Sequence, residues 1–104
     1  MNRPLVELPV LIAQGGPLDG QRWGIEKEMH VGRDRECEIM IPDRQVSRFH
    51  ARFTLTAEGV QLEDLESKNG TFYNGEQINK PVILKDGDTI QISVIQNFYY
   101  LSSD

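Results

Sequence analysis

The fold is decided most clearly by residues 50–65, which read HARFTLTAEGVQLEDL. Ala51, Phe53 and Leu55 alternate with polar residues, and this period of two is typical of a β-strand with one buried face. The segment Ala57-Glu58-Gly59 is a turn, and residues 60–65 return from it with a second strand pattern. This stretch therefore predicts a β-hairpin.

Short strand-like runs separated by turn residues continue on both sides of the hairpin. No window repeats apolar positions with the spacing of three and four that a helix requires. Ile90, Ile92 and Val94 alternate in a late strand, and Pro9 interrupts the first one. We predict an all-β protein, an antiparallel sandwich or barrel of about ten or eleven short strands. Nine of these strands can be placed, at 5–13, 21–25, 29–32, 38–41, 50–56, 60–65, 71–73, 89–94 and 97–102.

Length and charge limit the possible functions. The chain has 104 residues, so we expect a single domain over residues 1–104. A net charge of −5 disfavours nucleic acid as a partner, because phosphate binding calls for a basic surface. Cys37 is the only cysteine, which fits a reducing compartment. The absence of a signal peptide or a long apolar run predicts a cytoplasmic protein without direct membrane insertion.

Three loops carry most of the chemically informative residues. Arginine presents a planar fork of donors that matches phosphate oxygens, and a serine hydroxyl with turn amides can bind the remaining oxygens. Asparagine offers both a donor and an acceptor to an extended peptide. Loops on a rigid sandwich can hold such groups in place without disturbing the core. The loops contain Gly32-Arg33, Ser47-Arg48-Phe49-His50 and Ser67-Lys68-Asn69-Gly70-Thr71.

The combination of these loops resembles the signature of the forkhead-associated (FHA) domain family. The resemblance covers about residues 5–102 and implies a β-sandwich that is not an enzyme, has no cofactor and binds phosphothreonine in a partner protein. The partner would be marked by a Ser/Thr kinase, and the domain would act in signal transduction. The matching blocks are Gly32-Arg33, then Ser47-Arg48-x-His50-Ala51, then Asp64-Leu65-x-Ser67-x-Asn69-Gly70-Thr71-x-x-Asn74-Gly75.

The resemblance also implies a role for each matching residue. Arg33 and Ser47 would be the main phosphate contacts, with further contacts from Arg48 and Lys68. Lys68 departs from the threonine or serine of relatives, so its ammonium could reach a phosphate, an acidic partner residue or solvent. Asn69 would bind the peptide backbone. Loop-shaping roles would fall to Gly32, His50, Gly70, Thr71, Asn74 and Gly75.

Selectivity for phosphothreonine and for the residues that follow it is expected to arise in the same loops. The resemblance implies a small pocket for the threonine methyl group between the Ser47 and Asn69 loops. Preference for residues after the phosphothreonine is expected to depend on Arg44, Gln45 and Lys68.

Other interpretations remain open at this stage. The fold could bind its partner without phosphate, or Ser47 and His50 could serve a small esterase or phosphatase, although no third triad residue is identifiable. Arg33 could simply pair with Asp34 or Glu36. No metal site is expected, because His30, His50 and Cys37 lack ligand spacing. Trp23 and the aromatic run at 98–100 are expected to pack in the core and sheet.

Overall fold

The computed structural model describes residues 8–102, and these residues form eleven strands in two sheets. The all-β sandwich predicted from the sequence is therefore confirmed. The strands are β1 (Val10–Gln14), β2 (Arg22–Gly24), β3 (Glu28–Gly32), β4 (Ile39–Met40), β5 (Ala51–Thr56), β6 (Gly59–Asp64), β7 (Thr71–Tyr73), β8 (Glu76–Gln77), β9 (Val82–Ile83), β10 (Thr89–Ile92) and β11 (Gln96–Leu101).

The six-stranded sheet has the order β2-β1-β11-β10-β7-β8, and the five-stranded sheet has the order β4-β3-β5-β6-β9. The predicted hairpin is the β5–β6 pair, in which Phe53 lies opposite Leu62. One pair departs from the antiparallel prediction, because β4 runs parallel to β3 with Val31 opposite Ile39. The connection between β3 and β4, residues 33–38, is short for a parallel pair. It suffices here because β4 is only two residues long, so the chain has to return over a short distance.

The core lies between the inner faces of the two sheets, where alternate residues of each strand are buried. Trp23 packs edge-on against Phe98 with ring centroids 5.7 Å apart, as expected for aromatic residues that stabilise the sandwich. The largest fully buried apolar side chains are Phe53, Phe98, Leu11, Ile25, Ile39, Ile41, Leu62, Ile90, Ile92 and Val31.

One strand prediction was wrong near a strand end. Strand β10 ends at Ile92 rather than at Val94, because Ser93 has a φ of 55° that a strand cannot accommodate. Val94 is 73% exposed and does not continue the buried alternation. Leu55 shares a face with Phe53 but is 39% exposed, and it lies next to the last residue of its strand.

The first strand also differs from its prediction. Strand β1 begins at Val10, directly after Pro9, and pairs with both β2 and β11. Pro9 therefore precedes the strand instead of interrupting it, and residues 5–7 of the predicted strand lie outside the described residues. The short strands β8 and β9 were not predicted, because two residues carry no periodicity.

Strand directions bring several distant loops to one end of the sandwich. Because β5 is antiparallel to β3 and β6, the end of β3, the start of β5 and the end of β6 lie at the same end of the sandwich. Strand β10 runs antiparallel to β7, with Ile92 opposite Thr71, so the β10–β11 turn lies at that end too. We call it the loop end; it carries residues 33–38, 41–50, 65–70 and 93–95.

Candidate functional site

The Ser47 loop is braced by a buried histidine. His50 is fully buried, and its Nδ1 accepts a hydrogen bond from the backbone N–H of Ser47 at 3.1 Å. Nδ1 therefore carries no proton, and in the neutral ring Nε2–H donates to the carbonyl of Gly70 at 2.8 Å. Burial lowers the pKa of His50, which favours this neutral form. His50 thus connects the Ser47 loop to the β6–β7 loop.

Gly32 permits the close approach of β3 to the same loop. A Cβ atom at this position would lie 2.8 Å from the carbonyl carbon of Arg48 and 3.0 Å from the backbone nitrogen of His50. Both are backbone atoms, so neither can move aside without shifting the loop. Any side chain at residue 32 would therefore displace the Ser47 loop.

Arg33 is held against the backbone that precedes Ser47. Its backbone N–H donates to the carbonyl of Ser47 at 3.0 Å, and its Nε donates to the carbonyl of Val46 at 3.0 Å. No carboxylate among residues 8–102 forms an ion pair with Arg33. The simple ion pair with Asp34 or Glu36 is therefore not formed, and both terminal guanidinium nitrogens are available to a ligand.

Two hydrogen bonds join the Asn69 loop to the Ser47 loop. The backbone N–H of Lys68 donates to Ser47 Oγ at 3.0 Å, which leaves the Ser47 hydroxyl hydrogen free to donate elsewhere. Asn69 Nδ2 donates to the carbonyl of Gln45 at 2.8 Å. Lys68 and Asn69 are both exposed. Arg33, Ser47, Lys68 and Asn69 are thus brought together at the loop end.

A second network shapes the Asn69 loop from within. Asp64 Oδ1 accepts hydrogen bonds from Ser67 Oγ at 2.5 Å and from Thr71 Oγ1 at 2.6 Å. Ser67 Oγ in turn accepts the backbone N–H of Gly70 at 3.0 Å. No role was predicted for Asp64 or Ser67, although Asp and Ser side chains commonly bond nearby backbone groups in turns.

Arg48 is only partly available at this site. Its Nη2 lies 3.2 Å from Oδ2 of Asp34, and its side chain remains 70% exposed. The pKa of Asp34 is lowered mainly by the backbone N–H of Glu36 and further by Arg48. Arg48 therefore faces solvent next to a charged carboxylate that would compete with a phosphate.

Asn74 and Gly75 lie away from the other predicted residues. They form the turn between β7 and β8 at the opposite end of the sandwich, with φ values of 48° and 90°. Asn74 Oδ1 accepts the backbone N–H of Thr89 at 2.8 Å, and Asn74 Nδ2 donates to Asp88 at 3.1 Å. The structure thus separates this turn from the three loops of the candidate site.

Positive charge without ion-pair partners gathers at the loop end. Four exposed cations there form no ion pair with any carboxylate of residues 8–102. The four cations are Arg33, Arg35, Arg44 and Lys68.

The neighbouring Cys37 is buried, and burial raises the pKa of its thiol to about 11, so it remains a neutral packing residue.

The described residues do not support a hydrolytic centre. Both ring nitrogens of His50 are occupied by backbone groups, so neither is available to take a proton from Ser47 Oγ. Within residues 8–102 no group of three or more His, Cys, Asp or Glu residues is arranged to hold a metal ion. The same residues include no helix long and apolar enough to cross a membrane.

A cavity of about 290 Å³ lies along β3 rather than between the Ser47 and Asn69 loops. Its lining is mainly acidic, which makes it unsuitable for phosphate. The lining residues are Glu26, Lys27, Glu28, Met29 and Glu38.

Curated relatives share this region of sequence. The chain is 37% identical over 84 residues to the oxoglutarate dehydrogenase inhibitor of Corynebacterium jeikeium (strain K411), which covers 80% of this chain and 58% of the relative. It is 36% identical over 84 residues to the glycogen accumulation regulator GarA of Mycolicibacterium smegmatis, with 80% and 52% covered. The chain thus spans a little over half the length of these curated relatives.

The fold and the family model agree with this similarity. An FHA domain solved in an analysis of phosphothreonine-dependent FHA domain interactions superposes with a TM-score of 0.80 at 25% identity, covering 90% of this chain and 95% of that one. The family model of the FHA domain matches residues 29–93, which include the three loops of the candidate site. The chain therefore belongs to the FHA domain family.

Proposed function

We propose that this FHA domain is a phosphothreonine-peptide recognition module that mediates phosphorylation-dependent protein interaction. The phosphate is bound by the Arg33 guanidinium and the Ser47 hydroxyl, with help from Lys68 and Arg48. Asn69 orients the peptide backbone. This role requires neither catalysis nor a cofactor.

The observation that carries the proposal is the joining of three separate loops around Ser47. The carbonyls of Val46 and Ser47 hold Arg33, while Ser47 Oγ accepts the backbone N–H of Lys68. Phosphate binding is strongest where charged donors are fixed before the ligand arrives, because little entropy is then lost on binding. These contacts supply that fixed arrangement, and they leave the terminal nitrogens of Arg33 and the hydroxyl hydrogen of Ser47 to the ligand.

Asn69 is the group placed to hold the peptide. Its side-chain amide already donates one hydrogen bond to Gln45, which orients the side chain at the surface. The amide has a second N–H and a carbonyl oxygen, which match the acceptor and donor of an extended backbone. The similar FHA domain described above was solved in an analysis of phosphothreonine-dependent interactions, which supports phosphothreonine as the ligand of this chain.

The partner is a threonine-phosphorylated protein, and a Ser/Thr kinase acts upstream to mark it. The selection of threonine over serine is attributed to a methyl-sized space between the Ser47 and Asn69 loops. A cytoplasmic location fits both a phosphorylated partner and a chain with one buried, unpaired cysteine.

A degenerate phosphothreonine peptide library tests the proposal first, and the best sequence is then made with phosphothreonine, phosphoserine and unmodified threonine. Calorimetry should show binding of the first, weaker binding of the second and none of the third. Arg33→Gln should weaken phosphothreonine binding by about ten- to a hundredfold, because charge-assisted hydrogen bonds contribute about 1.5–3 kcal/mol.

The matched control is Arg22→Gln, which removes an exposed arginine on edge strand β2 of the other sheet. It changes the net charge equally and should leave binding within about twofold, the size of effect expected for a distant surface charge. Equal affinity for the three peptides, or equal effects of the two variants, would contradict the proposal.

Phosphate-independent binding is the second candidate function, and the Arg48–Asp34 ion pair is the observation that favours it. The Asp34 carboxylate competes with a phosphate for Arg48, which weakens the case for phosphate as the ligand of that arginine. Partner capture that survives both phosphatase treatment and Arg33→Gln would establish this alternative.

A further inference from the structure

Two exposed apolar side chains lie on the outer face of the five-stranded sheet, beside the loop end. Phe49 and Met40 are each 41% exposed. Met40 faces outward because its neighbour Ile39 is fully buried on the inner side of β4. Gly32 lies between the two side chains, since it pairs with Met40 and packs against the backbone on either side of Phe49. Exposed apolar residues grouped beside a binding site indicate an interaction surface.

His30 connects these apolar side chains to an acidic region further along β3. Its ring contacts that of Phe49 edge-on, with centroids 5.9 Å apart. Its backbone N–H donates to Oε1 of Glu38 at 2.7 Å, and its Nε2 lies 3.9 Å from Oε2 of Glu28. A continuous surface therefore runs from the loop end along β3.

The acidic region is the cavity of about 290 Å³ along β3. Its lining contains the carboxylates of Glu26, Glu28 and Glu38 against the single ammonium of Lys27. Glu28 pairs with Arg52. Glu26 and Glu38 are exposed and form no ion pair with the cations of residues 8–102. Because exposed carboxylates without partners attract positive charge, the cavity favours a Lys or Arg side chain in the segment that covers it.

Continuity with the phosphate site indicates which molecule covers this surface. Strand β3 spans the five residues Glu28–Gly32, so the cavity lies about 13 Å from the loop end. An extended segment crosses that distance with about four residues. A phosphothreonine held at Ser47 therefore brings the adjoining part of its own chain within reach of the surface. That second contact is intramolecular, and it forms at a much higher effective concentration than a contact with a separate protein.

We infer that this surface binds a second stretch of the same phosphorylated partner, which leads away from the phosphothreonine over the outer face of the five-stranded sheet. The inference rests on the proposed function. The stretch carries a large apolar side chain that covers Phe49 and Met40 and, about four residues further on, a Lys or Arg that enters the cavity. We call the surface the β3 strip; it consists of Met40, Phe49, His30, Glu26 and Glu38.

Peptides of two lengths separate the β3 strip from the phosphate site. The short peptide is the best phosphothreonine sequence from the degenerate library. The long peptides extend it at either end by about eight degenerate residues, which is enough to cross β3. Selection on the wild-type domain should enrich a large apolar residue followed by Lys or Arg on one side of the phosphothreonine. Burial of apolar area and pairing of exposed charges should make the selected long peptide bind about five- to tenfold tighter than the short one.

Calorimetry then compares two double variants with the wild type. Phe49→Ser/Glu38→Gln alters the β3 strip, and the glutamine keeps an oxygen that can accept the His30 N–H. The matched control is Leu55→Ser/Glu58→Gln, which removes an equally exposed apolar side chain and one carboxylate near the opposite end of the sandwich. All four positions are exposed, so the fold is expected to be retained.

The control should keep the gain from the long peptide, and Phe49→Ser/Glu38→Gln should lose it while binding the short peptide within about twofold of the wild type. No enrichment in the selection, the same gain in both double variants, or a loss of short-peptide binding in Phe49→Ser/Glu38→Gln would overturn the role of the β3 strip. A short peptide that binds equally well with and without its phosphate would instead contradict the proposed function, and the inference with it.

Discussion

At the scale of single residues, the pairing of Arg48 with Asp34 is the least expected feature of the site. Arg48 follows Ser47 directly, and family resemblance assigns it to the ligand. The side chain instead lies beside the Asp34 carboxylate, at 3.2 Å, while remaining largely exposed. An exposed pair of this kind contributes little to stability, so a bound phosphate can compete for the arginine.

Asp34→Asn should therefore strengthen phosphopeptide binding. The asparagine keeps the side-chain oxygen that accepts the Glu36 N–H, so the loop keeps its turn, while the competing charge is lost. Because exposed ion pairs contribute about 0.2–1 kcal/mol, the expected gain is about 1.4- to fivefold by calorimetry. In an Arg48→Gln background the gain should disappear. A gain that persists without Arg48 would show that the ion pair is not its cause.

At the scale of strands and loops, buried and half-buried polar side chains connect the loops where no backbone ladder does. His50 joins residues 47 and 70 through its two ring nitrogens, and it can do so only when neutral. Asp64 and Ser67 perform the same task within the β6–β7 loop. The geometry of the site therefore depends on protonation as well as on packing.

The free energy of unfolding should consequently fall as the pH drops below about 6.5, the ordinary pKa of histidine. Burial lowers the pKa of His50 in the folded state, so between the folded and unfolded pKa values the unfolded chain binds more protons. The stabilisation from neutral His50 is fully present above pH 6.5 and is lost as the pH falls toward the pKa of His50 in the folded state. The free energy of unfolding then changes by at most about 1.4 kcal/mol per pH unit. Urea unfolding at several pH values measures it.

His30→Gln is the control for this prediction, because it removes the other histidine and should leave the slope in place. An NMR titration would give the pKa of His50 directly. A His50 signal that titrates at or above pH 6.5, or a His30→Gln variant with no slope, would contradict the assignment. The carboxyls of Asp34 and Asp88, whose pKa values are lowered, affect stability only at more acidic pH.

At the scale of the whole molecule, the net negative charge lies away from the loop end, where acidic and basic residues balance. The protein has a net charge of −5, yet the loop end carries exposed cations without carboxylate partners among residues 8–102. Acidic side chains occupy the outer face of the five-stranded sheet, where Arg52 pairs with Glu28 and Glu63. A dianionic ligand therefore meets less repulsion at the loop end than at the rest of an acidic protein, and the unpaired cations can contact it there.

Charge reversal at Lys68 and at Lys27 should have different effects on binding. Each variant changes the net charge from −5 to −7, since a charge of +1 becomes −1. Lys68 is at the loop end, whereas Lys27 lies at the opposite end, where its carbonyl accepts the Leu55 N–H. Lys68→Glu should weaken phosphopeptide binding by about five- to tenfold at low salt, and Lys27→Glu by less than about twofold.

Raising the ionic strength from about 0.05 M to about 0.5 M should narrow this difference, because salt screens exposed charges beyond a few ångströms. Calorimetry at the two salt concentrations measures both effects. Equal losses for the two variants would mean that net charge, rather than the position of Lys68, governs binding.

The sequence by itself determined the class of fold, most strand positions and the three loops that the structure joins at one end of the sandwich. These features follow from local rules: alternation along a strand, turn-forming residues, and short motifs in a fixed order. The hairpin at 50–65 and the Gly32, Ser47 and Asn69 loops could be predicted for that reason. Strands β8 and β9 could not, since two residues have no pattern.

Only the tertiary structure decided which side chains meet. Arg48 pairs with Asp34, and the backbone N–H of Lys68 donates to Ser47 Oγ, because the register of the sheets brings distant loops to the loop end. The alternation of Ile90, Ile92 and Val94 predicted a longer strand, but the positive φ of Ser93 turned Val94 outward. Register and single dihedral angles depend on contacts between remote segments, and a local sequence pattern does not encode them.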